Sequence, residues 1–122
     1  MTAIPLRRFA RNLAEVLRLP RTAARIVDLL ARSRRQLSVR EIVGRIRMSE
    51  RSVRGNLALL LRRGILERQV VMTAQKRVAY LYRLRPPEDL MRTVRRHFAR
   101  NLQALRRAAG RVSPRTAASA RS

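Results

Sequence analysis

Apolar residues recur at helical spacing along most of this chain and change period once. Pro5 suits a first helical turn, Leu6, Phe9, Leu13, Val16 and Leu17 follow three or four apart, and Pro20 stops the run. This predicts a first amphipathic helix with arginines on its outer side. Thr22 is the expected cap of a second helix, whose buried stripe is Ile26, Leu29 and Leu30 and which gives way to a polar turn at 33–36. Ser38 with Glu41 makes a capping box that opens a third helix, with Ile42, Val43 and Ile46 inward. Met48 fills a short turn. Ser49 then caps a fourth helix, Glu50 favours its first turn, and Val53, Leu57, Leu60 and Leu61 form its core stripe up to Gly64.

After Gly64 the period shortens. Segments 65–72 and 77–84 are rich in Val, Ile, Leu and Tyr, and Thr73, Ala74, Gln75 and Lys76 separate them, which predicts a β-hairpin. The turn lacks Gly and Asn, so its type stays open. Pro86 and Pro87 end the second strand, and Glu88 and Asp89 stand where acids favour a helix start. A long helix is expected from about Pro87 to Ala109, with Leu90, Met91, Val94, Phe98, Leu102 and Leu105 along one side and Gly110 at its end. Residues 111–122 are Ser, Ala, Arg and Thr with one Pro, and disorder is expected there.

Two short helices with separate start signals and almost no gap between them are the sequence form of a helix-turn-helix. Followed directly by a hairpin, they make a winged helix. The expected fold class is therefore mainly α with a small β-hairpin. Its expected units are an N-terminal helix at 1–20, a winged-helix domain at 21–85, a long C-terminal helix at 86–110 and a basic tail at 111–122.

Charge sharpens this picture. The 122 residues include 30 Lys and Arg against seven acids, a formal charge of +23, while 46% are hydrophobic. Such a chain has enough apolar material for a small core and attracts polyanions. Nucleic acid is the first candidate partner and an anionic membrane surface the second. The basic residues are 29 Arg and one Lys, Lys76. Arg grips phosphate and guanine bidentately, though genome base composition produces the same excess. There is no Cys, which excludes disulfides and zinc fingers, and no apolar run approaches a membrane span. The first twenty residues are Arg-rich and acid-poor like a transit peptide, but they also make a good structural helix. With one His and no clustered carboxylates, an enzyme is not expected, and nothing calls for a metal or cofactor.

From Ser49, Glu50, Arg51, Ser52, Val53 and Arg54, through Leu57, Leu60, Leu61, Gly64 and Ile65, to Tyr80, Leu81, Tyr82, Arg83, Leu84 and the following Pro86, Pro87, Glu88, Asp89, Leu90, the chain resembles archaeal and bacterial winged-helix regulators of the MarR and TrmB-like type. The resemblance covers roughly 22–90. It implies a homodimer that binds pseudopalindromic double-stranded DNA and usually represses transcription, in the cytoplasm on the nucleoid. The wing departs from the pattern, offering only Lys76 and Arg77 where a Gly and a basic cluster are usual.

A helical wheel of the fourth helix places Arg51, Gly55, Ala58 and Arg62 opposite its core stripe, with Ser52, Asn56, Leu59 and Arg63 on one shoulder and Arg54 on the other. Arg51 is the candidate for reading guanine, and Ser52 and Asn56 for base or phosphate contacts. Gly55 would permit close backbone approach to DNA, or it is an incidental or packing glycine. Ser49 is on the contact list but suits a cap better. Leu59 either touches a thymine methyl or packs. Arg40, Arg54, Arg62, Lys76 and Arg77 are the expected phosphate contacts. Dimerisation is expected through Leu6, Phe9 and Leu13 of the first helix and Leu90, Met91, Val94, Phe98, Leu102 and Leu105 of the last, where Met91, Val94, Phe98, Asn101 and Leu105 repeat in an a/d-like stripe. His97 is expected to be a surface or interface side chain. A small-molecule effector is conceivable, but no residues mark its site. Two other roles stay open: a low-specificity chromatin protein, and an RNA-binding ribosomal protein whose basic tail threads RNA. Tyr80 and Tyr82 share one strand face and make no recognisable RNA-stacking motif.

Overall fold

A computed structural model describes residues 4–33 and 35–112. Most of the expected disordered tail lies outside the described residues. Elements run in the order α1 (Leu6–Val16), α2 (Arg21–Arg32), α3 (Val39–Ile46), α4 (Glu50–Arg62), β1 (Leu66–Met72), β2 (Val78–Leu84) and α5 (Pro87–Gly110). Five helices and one antiparallel hairpin make a mainly helical winged-helix fold.

Local signals set most of the boundaries. Ser38 Oγ accepts from the Glu41 N–H at 3.2 Å, and Glu41 Oε1 accepts from the Ser38 N–H at 3.1 Å, closing the capping box that starts α3. Arg47 ends α3 in the left-handed region at φ 58°. Ser49 Oγ then accepts from the Ser52 N–H at 3.0 Å and starts α4. Gly64 follows α4 at φ +75°. A Cβ there would lie 3.0 Å from Thr93 Oγ1, so both the turn and the close approach of α5 require glycine. Thr93 is buried and donates to the Gly64 carbonyl at 3.0 Å, fastening α5 to the end of α4.

Pro20, rather than Thr22, occupies the cap position of α2. The expectation for Thr22 fails because the proline lets the helix begin two residues earlier, at Arg21. Thr22 instead donates to Asn56 Oδ1 at 3.0 Å, joining α2 to α4.

The core is one cluster. Ala10, Leu13 and Leu17 of the α1 region, five residues of α2, Ile42 and Ile46 of α3, and Val53, Leu57 and Leu60 of α4 meet Leu37, Ile65, Leu66, Tyr82 and Leu90. Two small residues, Ala10 and Ala23, are fully buried in this cluster. Val16 stays exposed because it lies off the stripe of Ala10, Leu13 and Leu17, and Leu6, in line with that stripe, is exposed in the first turn of α1. Leu61 is only half-buried.

β1 and β2 pair from Leu66↔Leu84 to Met72↔Val78. Leu37 adds a one-residue third strand, exchanging backbone hydrogen bonds with Tyr82 at 3.0 and 2.8 Å. At the hairpin tip the Lys76 N–H donates to the Thr73 carbonyl at 2.9 Å, and the Arg77 N–H to Thr73 Oγ1 at 3.1 Å. Lys76 itself adopts φ 57°, the left-handed position usually given to Gly or Asn. Tyr82 is buried, whereas Tyr80 lies exposed beneath the Arg68 guanidinium, 4.3 Å from the ring centre.

α5 meets the core only through its first turns. Leu90 and Thr93 are buried and Val94 packs on the core. From Phe98 to Gly110 every residue is exposed.

Candidate nucleic-acid interface

α3 and α4 are joined by Arg47, Met48 and Ser49 alone, which is the compact connection of a helix-turn-helix. Val53, Leu57 and Leu60 hold α4 against the core, so its opposite face is outward. Arg51, Gly55, Ala58 and Arg62 are all exposed on that face. A Cβ on Gly55 would meet nothing within 4 Å. Packing therefore does not require glycine there, and the alternative of a packing glycine falls away.

The charge along this ridge is almost entirely positive. Glu50 is the acid on α4, and Arg54 pairs with it at 3.1 Å. Both side chains are exposed, so the pair contributes little stability. Arg51 and Arg62 have no acid partner among the described residues. Arg40 is exposed near the start of α3, and Lys76 and Arg77 are exposed at the wing tip.

Asn56 and Ser49 sit differently from the contact roles considered for them. Asn56 is half-buried, its Nδ2 donating to the Ser52 carbonyl at 2.8 Å while its Oδ1 accepts from Thr22. Both ends of the amide are occupied within the chain, so Asn56 ties α4 to α2 rather than facing outward. Ser49 Oγ is engaged as the cap. Ser52 is half-buried, with its N–H on that cap and its hydroxyl 3.9 Å from the Met48 sulfur. Leu59 is half-buried against the core.

Two features were not anticipated. Arg47 is exposed in the turn of the helix-turn-helix, beside the start of α4. The only signal for it was its place directly before the Met48–Ser49 start sequence. The outer wing is apolar as well as basic: Val70, Met72 and Val78 are exposed on one face, and no acid occurs between Glu67 and Glu88.

The expected dimer residues divide into three groups. Leu13, 4% exposed, and Leu90, fully buried, lie in the chain's own core and present no surface to a second copy. Phe9 and Val94 are half-buried against that core. Leu6, Met91, Phe98, Leu102 and Leu105 are exposed. His97 is half-buried and hydrogen-bonded to Asn101 at 3.1 Å.

Glu41 carries the one resolved perturbation of acidity. The Ser38 backbone N–H, then the Arg35 guanidinium, hold its carboxyl below the ordinary glutamate value of 4.5. Among the described residues no group of three His, Cys, Asp or Glu is placed to hold a metal ion. Among them, too, no helix is long and apolar enough to cross a membrane.

No family model matches the chain. No curated protein matches it. Solved structures do. A protein described as a possible transcriptional regulator from Methanosarcina mazei superposes with a TM-score of 0.67 at 11% identity, over 80% of this chain and 82% of that one. MarR of Staphylococcus aureus, in complex with salicylate and kanamycin, gives 0.51 at 15% identity, over 93% and 73%. The fold is that of MarR-type transcription regulators. A MepR variant of the same organism, bound to an oligodeoxyribonucleotide, gives 0.53 at 16% identity, over 95% and 82%. At these identities the likeness is one of fold. The MarR-type fold accounts for the placement of α3, α4 and the hairpin as one unit with long helices on either side.

Proposed function

We propose that this chain is a double-stranded DNA-binding transcription regulator that works as a homodimer and represses from pseudopalindromic sites. The observation that carries this reading is the outer face of α4. It combines two unpaired arginines, Arg51 and Arg62, with a low centre of Gly55 and Ala58, on a helix whose other face is locked in the core. Small central residues let a helix backbone approach base edges, and Arg near a recognition helix's start reaches guanine O6 and N7. The oligodeoxyribonucleotide bound to MepR supports the same reading.

In this account Arg51 reads bases and Ser52 contributes a hydroxyl. Arg40, Arg47, Arg54, Arg62, Lys76 and Arg77 grip phosphates. Exposed Met91, Phe98, Leu102 and Leu105 of α5 join two copies, spacing the two α4 helices by about 34 Å, one turn of DNA. With about four of these six engaged at once in each protomer, about eight phosphates are neutralised per dimer and the log–log salt dependence of affinity has a slope near −7. The test is selection of bound fragments from genomic DNA. One enriched palindrome, preferred by about 10³-fold or more over random duplex, supports a regulator. Equal recovery of all fragments overturns sequence-specific regulation. It favours instead an architectural protein, a role that the +23 charge also suits.

A further inference from the structure

We propose that the cleft between the end of α4 and α5 is a binding site for a small oxyanion carrying two or more phosphoryl groups. Five arginines, Arg62, Arg63, Arg85, Arg96 and Arg100, line a cleft of about 300 Å³ together with Leu61, Gly64 and Thr93. That volume suits a compact ligand. None of the five has an acid partner among the described residues. Asp89, in the adjoining cleft, is paired with Arg92 at 3.6 Å.

High net charge alone does not produce this arrangement. A second arginine-rimmed cleft, between α1, α2 and α3, holds Asp28, which pairs with Arg7 and Arg32, and the adjoining cleft that shares Arg85 and Arg96 holds Asp89. The α4–α5 cleft contains no acid. Arg62 and Arg63 gain something from the negative end of α4, but Arg85, Arg96 and Arg100 do not share that position. Arg85 is the least exposed of the five, and its backbone N–H is held by the Ile65 carbonyl at 3.0 Å, which fixes where its side chain starts. Like charges converging on one cavity repel unless an anion stands among them.

The ligand chemistry follows from the donors. Guanidiniums match phosphoryl oxygens in bidentate pairs. Five of them exceed what a single phosphate can accept in that way, so adjacent phosphoryl groups fit better than one. Such a ligand would bridge α4 and α5 beside the Thr93–Gly64 hydrogen bond, at the joint between the proposed reading helix and the proposed dimer helix.

The test is a calorimetric titration of the full chain with inorganic triphosphate, at constant ionic strength in chloride and without DNA. The expected result is one saturable site per chain, with sulfate binding more weakly. The double variant R85Q/R96Q is expected to weaken triphosphate about tenfold or more. The control R11Q/R45Q, in the second cleft, should leave it unchanged. Non-saturating heats, or equal losses in both pairs, mean a diffuse counterion atmosphere and overturn the site. If R85Q/R96Q loses its helical circular dichroism, R100Q serves instead, because Arg100 is exposed on α5. Several-fold weakening in R100Q supports the site and unchanged affinity overturns it. Because DNA is absent, a negative result leaves the duplex reading standing.

Discussion

Replacing Phe98 with Ala tests the proposed dimer most sharply. Phe98 retains 53% of its surface exposed, on a stretch of α5 whose residues are all exposed from 98 to 110. For an aromatic side chain of roughly 200 Å² that leaves about 100 Å² to bury. A two-fold interface uses it twice, about 200 Å², or about 5 kcal/mol at 25 cal/mol/Å². Ordering costs lower the realised figure to about 2–4 kcal/mol, a dimer dissociation constant weaker by about 30- to 1,000-fold. The protomer should keep its fold, because Phe98 is outside the core and Ala is the better helix former. Sedimentation equilibrium across a concentration series reads the constant directly. An F98A variant that dimerises as tightly as the parent would refute the assignment of this face.

Other consequences are local. Gly64→Ala should lower the urea midpoint without changing the slope, costing about 1–2 kcal/mol, because Ala must hold φ +75° and crowd Thr93. An unchanged midpoint would show that the α4–β1 turn relaxes freely. The Glu41 carboxylate is favoured in the folded state, so its contribution is complete above the ordinary value of 4.5 and is lost as pH falls through the lower folded value. Glu41→Gln should therefore be least stable relative to the parent at neutral pH, by a constant deficit, and that deficit should shrink below about 4.5 as the parent's own Glu41 protonates, flattening the variant's acid limb. An acid limb of the parent's slope would contradict this.

What was legible in the sequence was what neighbouring residues decide. Ser38 with Glu41, Ser49, Gly64 and Pro86 each set an element boundary through contacts a few residues away. The α4 wheel placed Arg51, Gly55, Ala58 and Arg62 outward because three large apolar residues fix the helix's rotation. Tertiary partners were not legible. Thr22 and Asn56 are 34 positions apart, and each looked adequate in another role until α2 and α4 met. Ala10 and Ala23 carry too little hydrophobicity to stand out, yet both are fully buried in the core. Leu37 extends the hairpin from a distant loop. The arginines at 62, 63, 85, 96 and 100 read as scattered solvated charges, and only the packing of α5 on Gly64 gathers them.

The central claim is that the outer face of α4 is the DNA contact surface. It is tested most directly by measuring duplex affinity, on a fragment enriched by genomic selection, for R51E/R62E beside a control of equal net charge, R106E/R107E. Both variants must first show the parent's circular dichroism. A loss of at least about 100-fold confined to R51E/R62E is the predicted result, since each contact of this kind contributes about 1–3 kcal/mol. Affinity unchanged in R51E/R62E, or reduced equally in the control, would contradict the account.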